Sequence, residues 1–173
     1  MSTMLFDLAQ LFPGGKLLPD LDSWTAFTIQ ESTLVAAREA GSNLRKCVLN
    51  WISQSAGLRQ IDGYLPYIVG EAINNGVEHG DLTHGLTVLA SVRLGAILVI
   101  NHLSNEERKL LAKGTEPVAT LELATGAIQL PDGSKRSCHA GLGMIEEMSG
   151  GACRYGIVRG RLFVMCIPLS LLA

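Results

Sequence analysis

The feature that most constrains this chain is a change of apolar period partway along it. Across residues 31–55, Leu34, Gly41, Leu44, Val48 and Ile52 fall on one helical stripe with Trp51 beside it, because side chains three or four residues apart share a helix face. Ser55-Ala56-Gly57 ends that helix. A second helix is expected to open between Asp62 and Pro66, since proline is tolerated in a first turn but not deep inside. It runs to His79, with Gly80 as its stop and Leu65, Val69, Ile73 and Val77 as its apolar stripe. From Leu86 onward the period is two. Leu86, Val88, Ala90, Val92 and Leu94 alternate with Thr87, Ser91 and Arg93, as on a half-buried strand, and Gly95-Ala96 turns the chain into a partner strand over residues 97–100. Residues 153–169 repeat the device, CRYGIVRG and RLFVMCIPL meeting near Arg159-Gly160, and WTAFTIQ (residues 24–30) supplies an earlier strand. Helix, helix, hairpin, connector, hairpin predicts an α+β two-layer sandwich, with helices on one face of a mixed, mostly antiparallel sheet.

A chain of 173 residues accommodates one well-buried domain. Residues 1–22, which contain Pro13-Gly14-Gly15 and Pro19, read as an irregular N-terminal arm, and residues 23–173 as the domain. With 47% hydrophobic and 17% charged residues the composition is globular rather than disordered, and its apolar excess suggests a surface buried in a homodimer or partner interface. A net charge of −2 without a basic run points away from nucleic acid and anionic membranes. The most hydrophobic stretch, residues 86–100, is interrupted by Arg93 and Gly95 and falls short of the roughly 20 apolar residues of a membrane-spanning helix. Cys47, Cys138, Cys153 and Cys166 show no paired spacing. Without a signal-peptide pattern, the expectation is reduced thiols in a cytoplasmic protein.

The string VGEAINNGVEHG, residues 69–80, carries the chemistry. Glu71, Asn75 and His79 are spaced four apart and form one polar stripe beside the apolar one. A helix can carry such a stripe merely as a polar edge. The residue types also suit a site: an amide oxygen is a hard donor fit for Mg²⁺, and a carboxylate one turn away can accept a proton from a hydroxyl or water. A second string, HAGLGMIEEMSGG (residues 139–151), places Gly141 and Gly143 at the opening of a helix that ends at Gly150-Gly151. Glycines let backbone approach a phosphate, and helix-start N–H groups favour an anion.

Together these strings resemble the histidine-kinase-like ATPases of the Bergerat fold, in particular the anti-sigma-factor serine kinases. Glu71, Ala72, Asn75, His79 and Gly80 match the Glu-Ala-x-x-Asn-x-x-x-His-Gly form of that family's asparagine box. Gly141-Leu142-Gly143-Met144 matches its Gly-x-Gly-Leu box apart from Met144. The order of elements also agrees across roughly residues 24–169. The resemblance implies Mg²⁺ held by Asn75, Glu71 as catalytic base, and ATP or ADP bound with His79, Gly80, Asn101, Gly141 and Gly143 at the nucleotide. It further implies phosphorylation of a serine on a small antagonist protein, sequestration of a second partner such as a sigma factor, and homodimerisation.

One element departs from the family. Where Asp-x-Gly-x-Gly is usual after the first hairpin, this chain has Asn101-His102-Leu103-Ser104-Asn105. Asn101 can still accept from an adenine amino group, but without charge assistance, a loss on the order of 1–2 kcal/mol. His102, Leu103 and Ser104 put side chains where the family leaves space, and NEERKLL suggests a short charged helix. Two functions follow: an ATP-dependent serine kinase, favoured by the asparagine box, or a nucleotide-independent binding module of the same fold, favoured by the lost glycines. His84, His102 and His139 show no ligand spacing with the cysteines, and Pro131-Asp132-Gly133 is a turn.

Overall fold

In the computed structural model, residues 23–105, 127–129, 135–137, 140–158 and 161–172 are described. Strands β1 (Thr25–Ile29), β2 (Leu86–Ser91) and β3 (Ala96–His102) are followed by a small separate hairpin, β4 (Ala127–Gln129) with β5 (Lys135–Ser137), and then by β6 (Arg154–Val158) and β7 (Leu162–Pro168). The main sheet runs β1-β2-β3-β7-β6. Helices α1 (Leu34–Ser55), α2 (Leu65–His79) and α3 (Ala140–Ser149) form the second layer, and a 3₁₀ turn, Leu169–Leu172, closes the described chain. The architecture is the expected α+β two-layer sandwich, with one correction. Every pairing in the five-stranded sheet is antiparallel, not mixed. The two hairpins meet through β3 and β7, which run in opposite directions, so no parallel crossover is needed. The arm (residues 1–22), the NEERKLL segment beyond Asn105 and the Pro131-Asp132-Gly133 turn lie outside the described residues.

Helix α1 begins where Thr33 accepts a hydrogen bond from the Ala36 N–H at 3.3 Å, a cap that satisfies one free donor of the first turn. Its buried face is Ala37, Gly41, Leu44, Val48 and Ile52. Leu34, expected on that stripe, is exposed in the first turn. Helix α2 opens at Leu65 with Pro66 in its first turn, where the missing N–H would have no partner anyway. The two helices cross closely. A side chain at Gly41 would stand 3.3 Å from Ile73 and from Val77, and the Arg45 Nε donates to the Pro66 carbonyl at 3.0 Å. Leu65, Val69, Ile73 and Val77 are buried as expected, joined by Ile68 and Ala72. Against them the sheet presents Leu86, Val88, Ile97, Val99, Met165 and Ile167, and α3 adds Leu142 and Ile145.

At the far end of α2 the chain is tied back to the sheet. Gly80 and Leu103 form a β-bridge, the Asp81 N–H donates to the His102 carbonyl at 2.8 Å, and the Leu103 N–H donates to the Arg161 carbonyl at 2.8 Å. Gly85 closes the turn into β2 with φ +73°, and a Cβ there would collide with the Ile29 carbonyl; Gly95, in the β2–β3 turn, has φ +67° and open space. A left-handed residue with a side chain costs roughly 1–2 kcal/mol from backbone strain alone. Gly95→Ala should therefore lower unfolding free energy by about that amount in a urea titration. Gly85→Ala should lose clearly more, because the β1–β2 contact must also shift. Equal losses would show that the collision relaxes freely.

Candidate functional site

Helix α2 presents its apolar stripe to the sheet and turns Glu71 and Asn75, both half-buried, toward α3. The contact is with the first turn of α3. A Cβ at Gly141 would stand 2.8 Å from Asn75 Oδ1, 2.9 Å from Asn75 Nδ2 and 3.1 Å from Glu71 Oε2. Only glycine permits this approach, so three residues singled out in the sequence come together. The Asn75 Nδ2 is buried and has no hydrogen-bond partner among the described residues. An amide N–H₂ left in that state costs about 1–3 kcal/mol relative to a satisfied one. In this closed arrangement it is a donor without an acceptor. The Glu71 carboxylate beside the same turn also complements the positive end of α3, a contribution of roughly 0.3–1 kcal/mol.

The two glycines of the second motif differ. Both lie inside α3, which begins at Ala140, rather than in a loop before it. Gly141 faces α2, whereas Gly143 is exposed and has nothing within 4 Å of its would-be side chain. At 100° per residue, positions two apart point in nearly opposite directions. Met144, in place of the family's leucine, is exposed, and Leu142 is the buried neighbour.

His79 is half-buried on the last turn of α2, beyond the contact with α3. Glu78 beside it is held by Arg38 of α1, with Nε to Oε1 at 2.6 Å and Nη2 to Oε2 at 3.0 Å. That hydrogen-bonded pair holds the Glu78 carboxyl below the usual carboxylate range. Gly80 and Gly76 accommodate Asn101, which is 5% exposed. Side chains at these glycines would stand 3.2 Å from Asn101 Nδ2 and 3.4 Å from its Oδ1, respectively. The amide also donates weakly to the His102 carbonyl, at 3.4 Å. Asn101 thus acts as a wedge between helix and sheet.

Sequence reasoning missed a polar turn next to this wedge. Asp81 Oδ1 accepts from the Thr83 N–H at 3.0 Å and its hydroxyl at 2.6 Å, and Oδ2 lies 3.1 Å from His84 Nδ1. The Thr83 hydroxyl above all holds the Asp81 carboxyl below its ordinary value. The His84 ring stacks on His102 at 4.5 Å, so the side chain expected to crowd an adenine pocket has an imidazole neighbour. The Asp-x-Thr pattern was the available local signal; the stacking joins positions 18 residues apart and had none. No group of three or more His, Cys, Asp or Glu among the described residues is placed to hold a metal ion, and no described helix is long and apolar enough to cross a membrane.

Compared with protein-family models, curated proteins and solved structures, the chain gives no match. The geometry therefore carries the functional reading, and the glycine contact is its most accessible test. Gly141→Ala should push α3 off Asn75 and Glu71, lower the melting temperature and speed amide exchange in α3. Gly143→Ala should be neutral or stabilise by about 0.5–1 kcal/mol, because it only removes backbone freedom from an exposed helical position. The same effect from both substitutions would overturn this placement of α3.

Proposed function

We propose that the chain is a nucleotide-dependent regulatory protein of the anti-sigma-kinase kind. It binds ATP or ADP with Mg²⁺ and phosphorylates a serine on a small antagonist protein. The observation that carries this reading is the meeting of Glu71, Asn75 and the first turn of α3, with the Asn75 amide nitrogen buried and unpartnered. A phosphate oxygen would satisfy that donor, the amide oxygen is a suitable Mg²⁺ ligand, and the start of α3 favours an anion. Bound Mg²⁺ would supply charge neutralisation at the phosphates. Glu71 would take the proton of the serine hydroxyl as its oxygen attacks the terminal phosphorus and ADP leaves. The second partner held by such a protein would be a sigma factor or similar regulator, and the apolar composition fits a homodimer.

A second reading has its own support. Gly141 sits so close to Asn75 that no phosphate fits between them, and Asn101 is enclosed by Gly76 and Gly80. Both favour a nucleotide-independent binding module of the same fold. On the first reading α3 has to withdraw as the phosphates enter, so nucleotide binding and α3 movement are coupled.

Calorimetry separates the two. Saturable heat with ATP and Mg²⁺, loss of the Mg²⁺-dependent part in Asn75→Ala, and retained binding without phosphotransfer in Glu71→Gln are the expected results. No heat with ATP, ADP or GTP at millimolar concentration and saturating Mg²⁺ would leave the binding-module reading. Binding that Asn75→Ala leaves unchanged would place the phosphates elsewhere.

A further inference from the structure

The sheet has a second apolar face. Along β3 and β7 the runs AILVI and LFVMCI are apolar at nearly every position, the pattern of strands covered on both sides; β2, with LTVLAS, keeps the alternation of a strand covered on one. The residues pointing away from the helices form a separate cluster in which Leu98 and Val164 are 0% exposed and Cys166 is 4% exposed. The only other described members are Ala96, Ile100, Leu162 and Trp24, with Leu89 and Leu94 at the margin. Side chains on an open sheet face cannot exclude water from one another's tips, and among the described residues this cluster draws only on the strands, the β2–β3 turn and Trp24.

Two segments are long enough to cover this face. Residues 106–126 carry seven charged side chains, and residues 1–22 carry four. Within the latter, MLFDLAQLF (residues 4–12) has a single charge, and Leu17, Leu18 and Leu21 follow. The points of departure also differ. After β3 the chain turns at Leu103 to bridge Gly80, away from the outer cluster, whereas residues 1–22 lead directly into Trp24, itself a member of that cluster. A seven-residue strand spans about 23 Å, well within the roughly 70 Å reach of 22 residues. Ala26 and Thr28 of the β1 edge are exposed on the same face.

We propose that residues 1–22 dock in cis on the outer face of the sheet, over β3 and β7, and keep that face from a second copy of the chain. The arm is then a structural element with a specific seat, and its removal bares an apolar surface suited to self-association.

Cys166 is a built-in reporter. It lies in the covered cluster, and burial pushes its thiol up to about 11, so it should resist alkylation in the full chain while exposed Cys47 reacts as an internal standard. Alkylation read thiol by thiol by peptide mass spectrometry should show Cys166 accelerated about tenfold or more in a chain lacking residues 1–22. The same should hold in the full-length triple variant Leu8→Asp, Leu11→Asp, Phe12→Asp, with Cys47 unchanged. Added peptide 1–22 should restore protection to the truncated chain. Protection that appears only as concentration rises, with a doubled mass by light scattering, also supports the proposal, since a second copy then occupies the bared face. Should the truncated chain lose its helical circular dichroism, the triple variant decides. Unchanged protection of Cys166 in a folded, monomeric variant overturns the proposal.

Discussion

The seat of α2 on the sheet is the constraint from which the rest of the structure follows. A Cβ at Gly76 would run into Leu86 and stand 3.4 Å from Asn101, so the helix rests on β2 and β3 with backbone rather than side chain at that point. This fixes both its height and its rotation. With Gly76 and Ile73 turned inward, Asn75 and Glu71 are carried round to the flank where α3 packs, and Glu78 faces Arg38 of α1. The polar residues of α2 therefore meet different neighbours: α3 packs on Glu71 and Asn75, Arg38 of α1 pairs with Glu78, and the β-bridge at Gly80 closes the helix end. A larger residue at position 76 would shift all three contacts at once, because close-packed interiors transmit displacement rather than absorb it.

The two central strands carry the opposite constraint, since they must be covered twice. Their inner faces are buried by α1, α2 and α3 through one cluster, and their outer faces belong to another that shares no buried residue with it. A sheet in this position is stabilised by burial on both sides, at roughly 25 cal/mol per Å² of apolar surface, while the edge strand β1 keeps Ala26 and Thr28 in water. The apolar composition that suggests a homodimer is in part accounted for by this outer cluster within a single chain.

Much of the fold was legible because the residues that punctuate it act locally. Pro66 and Gly80 bracket α2 through rules that concern one turn of helix, and Gly95 marks the β2–β3 turn by its left-handed backbone. What escaped depends on distant partners. Leu34 continues the α1 stripe in sequence, yet the first turn extends past the neighbours that would cover it. Gly141 and Gly143 look equivalent in the motif, and only the helical register beginning at Ala140 separates the one that touches Asn75 from the one that faces solvent. Asn101 stood at the position expected to read adenine, but two glycines of the facing helix leave a slot that its side chain fills. The pairing of Asn101 with Leu86 and Phe163 sets that slot, and no local pattern contains it.

The candidate site holds an unresolved energetic tension, and the tension gives it chemical meaning. Shape complementarity between Gly141 and the Asn75 amide is close, yet the Asn75 nitrogen finds no acceptor, although a Glu71 oxygen lies near the same glycine. An apolar side chain of similar size at position 75 would fill the space without the roughly 1–3 kcal/mol that an unpaired buried donor costs. The amide is thus poorly matched to the closed arrangement and well matched to one in which an acceptor enters beside it. Withdrawal of α3 by the width of a phosphate would relieve the donor at the expense of the α2–α3 contact. An acceptor that entered here would couple relief of the donor to loss of the α2–α3 contact, so its binding and the movement of α3 would go together.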